Sequence, residues 1–464
     1  MIRKKIVGTL LPMTALVSKS APEGTFKAGE KFVDWLSKSE QNAWRVLPLH
    51  QTELEKGSKT KHVPSPYKGY GVGLDPRFLS NEPLILDDKK LYEFVNENNY
   101  WLESYTLFCA LRDYFGTDAW SEWPEKIRSR DEETMSKWTE KLSVQINNHL
   151  IEQAKLHFAY QKLQKRAVEK KISLIGDMPF YLGLNSPLVW RYQYLFDLDE
   201  NGLPLRVSGV LVGIKSYFGR QIWGHPLYKW QDSTLLPELE KLFQIRLKYL
   251  ASLFSLIRLD HAKGFFYYGA IHLSNQRLDK YLVGPGSKFL DKLIRFSKKE
   301  KLKIYAEDTG DMLIELRQYL RLHRLPGVKI FRFAYNDKRK IFSNQYLKID
   351  KYPVNTVAYT TTHDTESLLG YLEKLTNLEI KTLMKKMNFI KCFSLTEFAE
   401  FIRNTVINSP AKIVLIPLQD WLLTTERINV PGSEKEIDDP NWQYRMSVAI
   451  EDLPTGKELF LSQF

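Results

Sequence analysis

Short runs of apolar and β-branched residues recur along the chain, and longer stretches with apolar residues at helical spacing separate them. Runs of this length are typical of buried strands, and parallel strands need helical crossovers between them. The runs comprise residues 5–11, 44–49, 171–177, 256–260, 302–307, 328–333, 356–361 and 412–418. Because eight parallel strands close a barrel, the pattern predicts an α/β fold: a (β/α)8 TIM barrel with helical and loop insertions around the carboxyl-terminal face of its strands.

We interpret residues 1–464 as a single barrel domain with four insertions. We expect a loop beside the cleft over 51–80, a mostly helical subdomain over 85–165, an insertion of loops and helix over 185–245, and a helical insertion over 370–410. The aromatic residues of the second insertion recur at helical spacing, which is typical of packed helices rather than of a ligand surface. No β-sandwich domain is expected after the barrel.

The start of the chain has two interpretations. A basic beginning, an apolar stretch over 6–17 and small residues at 18–21 imitate a secretory signal peptide. Alternatively, residues 5–11 form the first barrel strand. Pro12 and Thr14 interrupt the apolar stretch, and the barrel needs a strand here, so we expect the strand.

Composition excludes several classes of function. The 464 residues carry a formal net charge of +12, but acidic residues interleave with most basic groups and no basic stripe carries aromatic residues, so we expect no nucleic-acid partner. No stretch approaches the roughly 20 apolar residues that span a bilayer, so no membrane partner is expected. The two cysteines, Cys109 and Cys392, lie far apart in apolar surroundings, which favours buried thiols and a reducing, cytoplasmic location.

Acidic residues follow most of the predicted strands. A single carboxylate at a strand end is more often a helix cap, but the same chemistry at five strand ends indicates one site, since barrel active sites lie at the carboxyl ends of the strands. In order along the chain, these residues are Asp177, Asp260, Glu307 with Asp308, Asp364 and Asp420.

Around these acids the sequence resembles glycoside hydrolase family 77, the 4-α-glucanotransferases. The segments that carry the resemblance are Ile257-Arg-Leu-Asp260-His261, Tyr305-Ala-Glu307-Asp308-Thr-Gly310 and Tyr359-Thr-Thr-Thr-His363-Asp364. Further segments extend it in the same order over nearly the whole chain: Ser65-Pro-Tyr67, Gly176-Asp177-Met-Pro179, Trp223-Gly-His-Pro226, Pro326-Gly-Val-Lys329 and Asn429-Val-Pro-Gly432. The resemblance implies a barrel enzyme in which Asp260 is the nucleophile, Glu307 the acid/base and Asp364 the stabiliser of the transition state.

The chain departs from the family pattern at positions that line the substrate. These are Leu211-Val-Gly-Ile after Ser208-Gly-Val210, Lys68, His225, Ala262, Lys263 and Thr365. The resemblance therefore implies the chemistry, but not the preferred length of donor and acceptor.

Retaining cleavage of a glycosidic bond needs a carboxylate nucleophile and a carboxylic acid about 5–5.5 Å apart. Asp260 and Glu307 follow consecutive predicted strands, and neighbouring strands are about 4.8 Å apart. Arg258 lies two residues before Asp260 on the same strand face, where its charge favours the ionised carboxylate. A negative neighbour, Asp308 or Asp364, favours the protonated acid that Glu307 must supply.

Further residues are expected to bind the substrate. The resemblance implies that His363 acts beside Asp364 on sugar hydroxyls. Aromatic side chains can hold an acceptor and exclude water; Tyr228 is a further candidate, for which packing is the alternative. The expected set is Tyr67, Asp177, Gln221, Trp223, Arg258, His261, Asp308 and His363. No metal or other cofactor is expected, since no ligand spacing such as H-E-x-x-H and no nucleotide fingerprint occurs.

The leading hypothesis is transfer of α-1,4-glucan segments to the 4-hydroxyl of glucose or another glucan, with maltooligosaccharides as partners. One alternative is an α-amylase-like hydrolase, and another is a non-catalytic glucan-binding pseudoenzyme. The sequence leaves the oligomeric state open.

Overall fold

The computed structural model describes residues 5–80, 84, 86–211, 220–310, 312–336, 339–389, 394–432 and 441–460. Eight parallel strands, which we number in chain order as the first to eighth barrel strands, form one sheet. They are Ile6–Leu10, Ala43–Arg45, Ser173–Met178, Leu256–Leu259, Lys303–Ala306, Gly327–Ile330, Thr356–Tyr359 and Ile413–Pro417. Each overlaps one predicted run, so the predicted (β/α)8 fold is confirmed.

The strand order is that of a barrel. Strands that follow each other in the chain are neighbours in the sheet, and the first strand pairs in parallel with both the second and the eighth. A backbone hydrogen bond from Ala306 N to Pro326 O, at 2.9 Å, joins the fifth strand to the start of the sixth. The ring is therefore nearly closed, and the carboxyl ends of all its strands lie at the same end.

The strand expected over residues 5–11 is present as Ile6–Leu10. Ile6–Leu10 pairs with Ile413–Pro417 over five residues, and Gly8 lies so close to the second strand that an added Cβ would be 2.1 Å from Ala43 O. The strand is a fully integrated member of the barrel from residue 6 onward.

The chain folds into two compact units, each assembled from separate stretches of sequence. The first comprises Met1–Leu47, Gln164–Gly176 and Ile304–Phe464, and the second comprises Pro48–Leu163 and Asp177–Lys303. The second unit contains the whole of the insertions expected over 51–80 and 185–245. It also contains the insertion expected over 85–165, except for residues 164 and 165, which belong to the first unit.

The first unit contains helices that follow the barrel strands. Their bounds are Phe26–Lys38, Ile314–Leu322, Asn344–Leu347, Leu368–Glu373, Asn377–Lys386, Leu395–Ile407 and Leu418–Leu422, with a small antiparallel pair at Tyr335–Asn336 and Ile341–Phe342. Leu395–Ile407 illustrates why they form: Ser394 and Glu397 make a capping box, and the helix buries one apolar stripe.

The second unit contains the larger insertions. Its helices are Asp88–Phe115, Glu125–Arg128, Glu132–Lys141, Pro187–Arg191, Leu236–Leu253 and Gly286–Lys299, and the helix Ser143–Glu169 starts here and ends in the first unit. A four-stranded antiparallel sheet comprises Val207–Val210, Gln221–Pro226, Tyr267–Ile271 and Lys280–Val283.

The segment 51–80 contains more regular structure than the loop expected there. Gly69–Leu74 pairs antiparallel with His50–Thr52. The sequence pattern did not predict the strand Gly69–Leu74, because its alternate positions are glycine rather than β-branched residues. Packing requires this: at Gly73, with φ +76°, an added Cβ would lie 2.3 Å from the Tyr105 ring.

The composition predicts that both cysteines are buried and that no helix spans a membrane. Cys109 is fully buried in the helix Asp88–Phe115, and burial raises the pKa of its thiol to about 12. Cys392 lies outside the described residues. Within the parts of the chain that the structure describes, no helix is both long and apolar enough to cross a bilayer.

Candidate active site

Arg258 joins two carboxylates at the ends of the third and fourth strands. Its Nη1 lies 2.7 Å from Asp260 Oδ1 and 3.1 Å from both carboxylate oxygens of Asp177. The Asp177 side chain is completely buried, whereas that of Asp260 is 20% exposed. Tyr67 O–H donates to Asp177 Oδ2 at 2.8 Å. Asp177 is therefore the internal partner of Arg258, and Asp260 is the carboxylate that remains accessible.

This arrangement orients Asp260 and favours its ionised form. A guanidinium at 2.7 Å stabilises the ionised carboxylate, which a nucleophile requires. The backbone N–H of Asp260 donates to Met178 O at 3.0 Å, which anchors the end of the fourth strand to the third. Four predicted residues of the second unit, Tyr67, Asp177, Arg258 and Asp260, are thus brought together.

The next predicted group surrounds His261. This residue adopts a left-handed conformation, φ 43° and ψ 41°, directly after Asp260. Its ring contacts the Trp223 ring edge to face, with centroids 4.8 Å apart. Trp223 Nε1–H donates to Gln221 Oε1 at 2.8 Å, and Gln221 is itself buried. Gln221 therefore orients the indole, and Trp223 is the more accessible of the two.

Tyr228 is not one of the accessible aromatic residues. It is 1% exposed, and its O–H donates to Phe180 O at 2.9 Å while accepting from Arg246 at 3.2 Å. The packing alternative was the correct one for this ring.

The fifth strand ends in two acids with different surroundings. Glu307 is partly buried and accepts a hydrogen bond from Thr309 O–H at 2.6 Å. Asp308 is buried, and burial raises its pKa even though Val328 N–H donates to it at 2.7 Å and Arg317 pairs with it at 3.1 Å. Asp308 links the fifth strand to the sixth; direct substrate contact by Asp308 stays a prediction.

Asp364 is held by groups from two segments. His363 Nε2 lies 3.0 Å from Asp364 Oδ2, and Asn429 Nδ2 donates to Oδ1 at 2.8 Å. Arg427 donates to the backbone carbonyl of Asp364 at 3.0 Å. The Asp364 side chain is 34% exposed and that of His363 only 2%, so Asp364 is accessible, whereas His363 is a buried partner of its carboxylate.

Asp420 does not belong with the accessible acids, and the expectation that it does is corrected. It is 1% exposed and accepts from Thr360 O–H, Thr361 O–H and Leu368 N–H at 2.5–2.6 Å. Burial raises its pKa to about 6. The N-cap of the helix Leu368–Glu373 is Ser367, and Asp420 accepts from the first N–H of that helix, so Asp420 has a structural role.

Sequence reasoning missed the residues that hold Asp364. In the sequence Asn429 belongs only to a segment of the family resemblance, and no pattern distinguishes Arg427 or Glu366. The signal was weak, because Asn429 is 65 residues away from Asp364 in the chain. Among the described residues, no group of three or more His, Cys, Asp or Glu side chains is arranged to hold a metal ion.

The fold and these side chains define a class of protein. Accessible carboxylates follow the fourth, fifth and seventh strands of an eight-stranded parallel barrel. Acids in these positions are what (β/α)8-barrel enzymes use for catalysis.

The comparisons identify the family. The family model for the 4-alpha-glucanotransferases, glycoside hydrolase family 77, matches residues 11–84 and 77–450. The 4-alpha-glucanotransferase of Aquifex aeolicus is 30% identical over 98% of this chain and 97% of its own, and that of Clostridium butyricum is 29% identical over 91% and 92%. The structure of amylomaltase from Streptococcus agalactiae in complex with acarbose superposes with a TM-score of 0.81 at 26% identity, covering 96% and 95% of the two chains. The chain therefore belongs to the 4-alpha-glucanotransferase family.

Family membership confirms the predicted enzyme class. The comparisons give no support to the hydrolase or the pseudoenzyme alternative over this one.

Proposed function

We propose that the protein transfers α-1,4-glucan segments to the 4-hydroxyl of glucose or of another glucan, by a retaining double displacement. Asp260 is the nucleophile, Glu307 the general acid/base and Asp364 the stabiliser of the transition state. The observation that carries the proposal is the Arg258–Asp260 contact of 2.7 Å, because it leaves an ionised, accessible carboxylate at a barrel strand end.

In the first half-reaction, an Asp260 oxygen bonds to the anomeric carbon of the donor. The bond from that carbon to the bridging oxygen breaks, and Glu307 gives its proton to this oxygen as the reducing-end fragment leaves. In the second, the ionised Glu307 takes the proton from the 4-hydroxyl of the acceptor. That oxygen bonds to the anomeric carbon, the bond to Asp260 breaks, and the α configuration is restored.

Several other residues are proposed to bind the sugar. Asp364, supported by His363 and Asn429, accepts hydrogen bonds from sugar hydroxyls that strengthen in the transition state. Trp223 and Tyr67 provide aromatic surface beside the nucleophile, which favours an acceptor sugar over water. We also propose a reducing, cytoplasmic location, which suits the buried thiol of Cys109.

The test of the reaction type is incubation of the purified protein with maltotriose. Transfer yields a ladder of longer oligosaccharides together with free glucose, and the ladder grows while the total number of glycosidic bonds stays constant. Glucose and maltose without longer products would instead establish a hydrolase.

The test of the nucleophile compares two aspartates of the second unit. Asp260→Asn should lower turnover of maltotriose at least 10^4-fold, an order of magnitude expected when a covalent nucleophile is lost. Asp197→Asn is the matched control, because Asp197 also pairs with an arginine at 2.7 Å and is 16% exposed against 20% for Asp260. Equal losses in the two variants would contradict the assignment.

The acid role of Glu307 has a separate test. Glu307→Gln should abolish turnover of maltotriose but retain the first half-reaction with an α-glucosyl fluoride donor, because fluoride leaves without needing a proton. Loss of activity on both donors would contradict a role as general acid.

A further inference from the structure

Glu366 lies two residues after Asp364, and three cations converge on its carboxylate. Arg332 Nε is 3.1 Å from Oε2, Lys374 Nζ is 2.9 Å from Oε1, and Arg427 Nη1 is 3.4 Å from Oε1. These cations come from three places: Arg332 follows the sixth strand, Lys374 follows the helix Leu368–Glu373, and Arg427 follows the eighth strand. The Glu366 carboxylate therefore contacts cations from the segments that follow the sixth, seventh and eighth strands.

The surroundings keep Glu366 ionised. Burial opposes ionisation, yet the charge of Arg332, the hydrogen bond from Lys374 and the charge of Arg427 together lower its pKa to about 2. The Arg332 guanidinium lies over the Tyr371 ring at 4.0 Å, so this cation is fixed by stacking as well as by charge.

Arg427 contacts Glu366 and also binds the backbone of Asp364 and Asn429. Besides its pairing with Glu366, its Nη2–H donates to Asp364 O at 3.0 Å and its Nε–H donates to Asn429 O at 2.7 Å. Asn429 in turn donates from Nδ2 to Asp364 Oδ1 at 2.8 Å. Arg427 thus fixes the backbone of the residue that bears the carboxylate and the backbone of the residue that orients it.

We propose that Glu366 is a positioning residue: through Arg427 and Asn429 it fixes the orientation of the Asp364 carboxylate toward the substrate. The inference rests on the proposed function, in which Asp364 stabilises the transition state. A group that acts through Asp364 affects the step in which that stabilisation is used, so its loss lowers kcat more than it raises KM.

The chain offers a matched control for this carboxylate. Glu379 is also in the first unit, its side chain is 12% exposed against 14% for Glu366, and its pKa is also held at about 2. Its contacts are with Lys340, Tyr335 and Thr376. Glutamine at position 379 retains the capping box of its helix, so Glu379→Gln removes a paired charge without touching Asp364.

The kinetic test measures total cleavage of maltotriose, whether by transfer or by hydrolysis, so it does not depend on which product forms. Glu366→Gln should lower kcat tenfold or more with KM within twofold, while Glu379→Gln leaves both within twofold. Asn429→Ala should lower kcat similarly, and the double variant Glu366→Gln/Asn429→Ala should lose much less than the product of the two effects. Equal kcat losses in the two glutamine variants, a rise in KM alone, or multiplying effects would overturn the proposal.

Two further measurements keep the proposal testable. If Glu366→Gln does not fold, Arg427→Lys serves in its place, since lysine keeps the charge but not the fixed fork of donors; an unchanged kcat in that variant overturns the proposal. A crystal structure of the folded variant is independent of activity, and so distinguishes failure of this proposal from failure of the proposed function. Asn429 Nδ2 and Asp364 Oδ1 should separate beyond 3.5 Å, and an unchanged contact would overturn the positioning role.

Discussion

Replacing Arg258 by methionine should affect stability and catalysis through two different carboxylates. The substitution keeps an unbranched side chain of similar length but removes the guanidinium, which lies 3.1 Å from Asp177 and 2.7 Å from Asp260. The Asp177 side chain has no exposure to solvent, so its charge is left buried without this partner. Leaving a buried charge uncompensated in this way costs about 3–5 kcal/mol in the free energy of unfolding.

The expected fall in kcat/KM has a separate cause, the loss of the contact between Arg258 and Asp260. Asp260 loses a charge-assisted hydrogen bond, worth about 1.5–3 kcal/mol. Since about 1.4 kcal/mol corresponds to a factor of ten, kcat/KM should fall roughly 10- to 150-fold. Stability is measured by urea unfolding followed by circular dichroism, and kcat/KM by release of glucose from maltotriose.

A second substitution separates the two effects. In Arg258→Met/Asp177→Asn the buried side chain is neutral and still accepts from Tyr67, so at least half of the lost stability should return. Activity should stay low, because Asp260 still lacks its cation. A double variant as unstable as Arg258→Met would show that uncompensated charge is not the cause. An Arg258→Met enzyme with kcat/KM within twofold of wild type would refute the catalytic argument.

Three further changes test other parts of the structure. Gly8→Ala should prevent the barrel from forming, because the added Cβ would lie 2.1 Å from Ala43 O. Gly57 has φ +77° and open space around it, so Gly57→Ala should lower the free energy of unfolding by only about 1 kcal/mol. Thermal unfolding distinguishes the two variants. Burial raises the pKa of Asp118 from 3.8 to about 7, so the folded state binds a proton that the unfolded state has lost. The free energy of unfolding should therefore fall by up to about 4 kcal/mol as pH rises from 4 to 7. Unfolding experiments across this pH range measure the slope, which Asp118→Asn should remove. Asp308→Ala should lower the free energy of unfolding by about 1–3 kcal/mol, because Val328 N–H loses its acceptor. A tenfold rise in KM for maltotriose would support the predicted substrate contact, and a KM within twofold of wild type would contradict it.

The sequence predicted the barrel well because its strands are buried on both faces. Such strands are continuous apolar runs, and all eight were found to within a few residues. The strand Gly69–Leu74 escaped detection because its glycines serve close packing against neighbours such as Tyr105, which are distant in sequence. A local pattern cannot report a requirement that is set by a distant side chain.

The same limit applies to the acids at the strand ends. Asp260 and Asp420 each follow a barrel strand by one to three residues, and their position after a strand does not distinguish an accessible carboxylate from a buried structural one. The difference lies in their partners: Asp260 faces Arg258 and remains accessible, whereas three donors enclose Asp420. The support of Asp364 by Asn429 likewise depends on two segments that meet only in the folded chain.

The pairing of Arg258 with two carboxylates has a consequence for how this enzyme can lose its activity. Together with Asp177 and Asp260 the cation forms a triad of net charge −1, and without Asp260 it forms a neutral buried pair. Replacing Asp260, the proposed nucleophile, by a neutral residue should therefore leave no uncompensated charge in the interior, and we expect the variant to fold. If Asp260 is the nucleophile as proposed, one base change in its codon should give an inactive but stable protein that retains the other proposed sugar-binding residues, so selection on stability alone does not protect the chemistry.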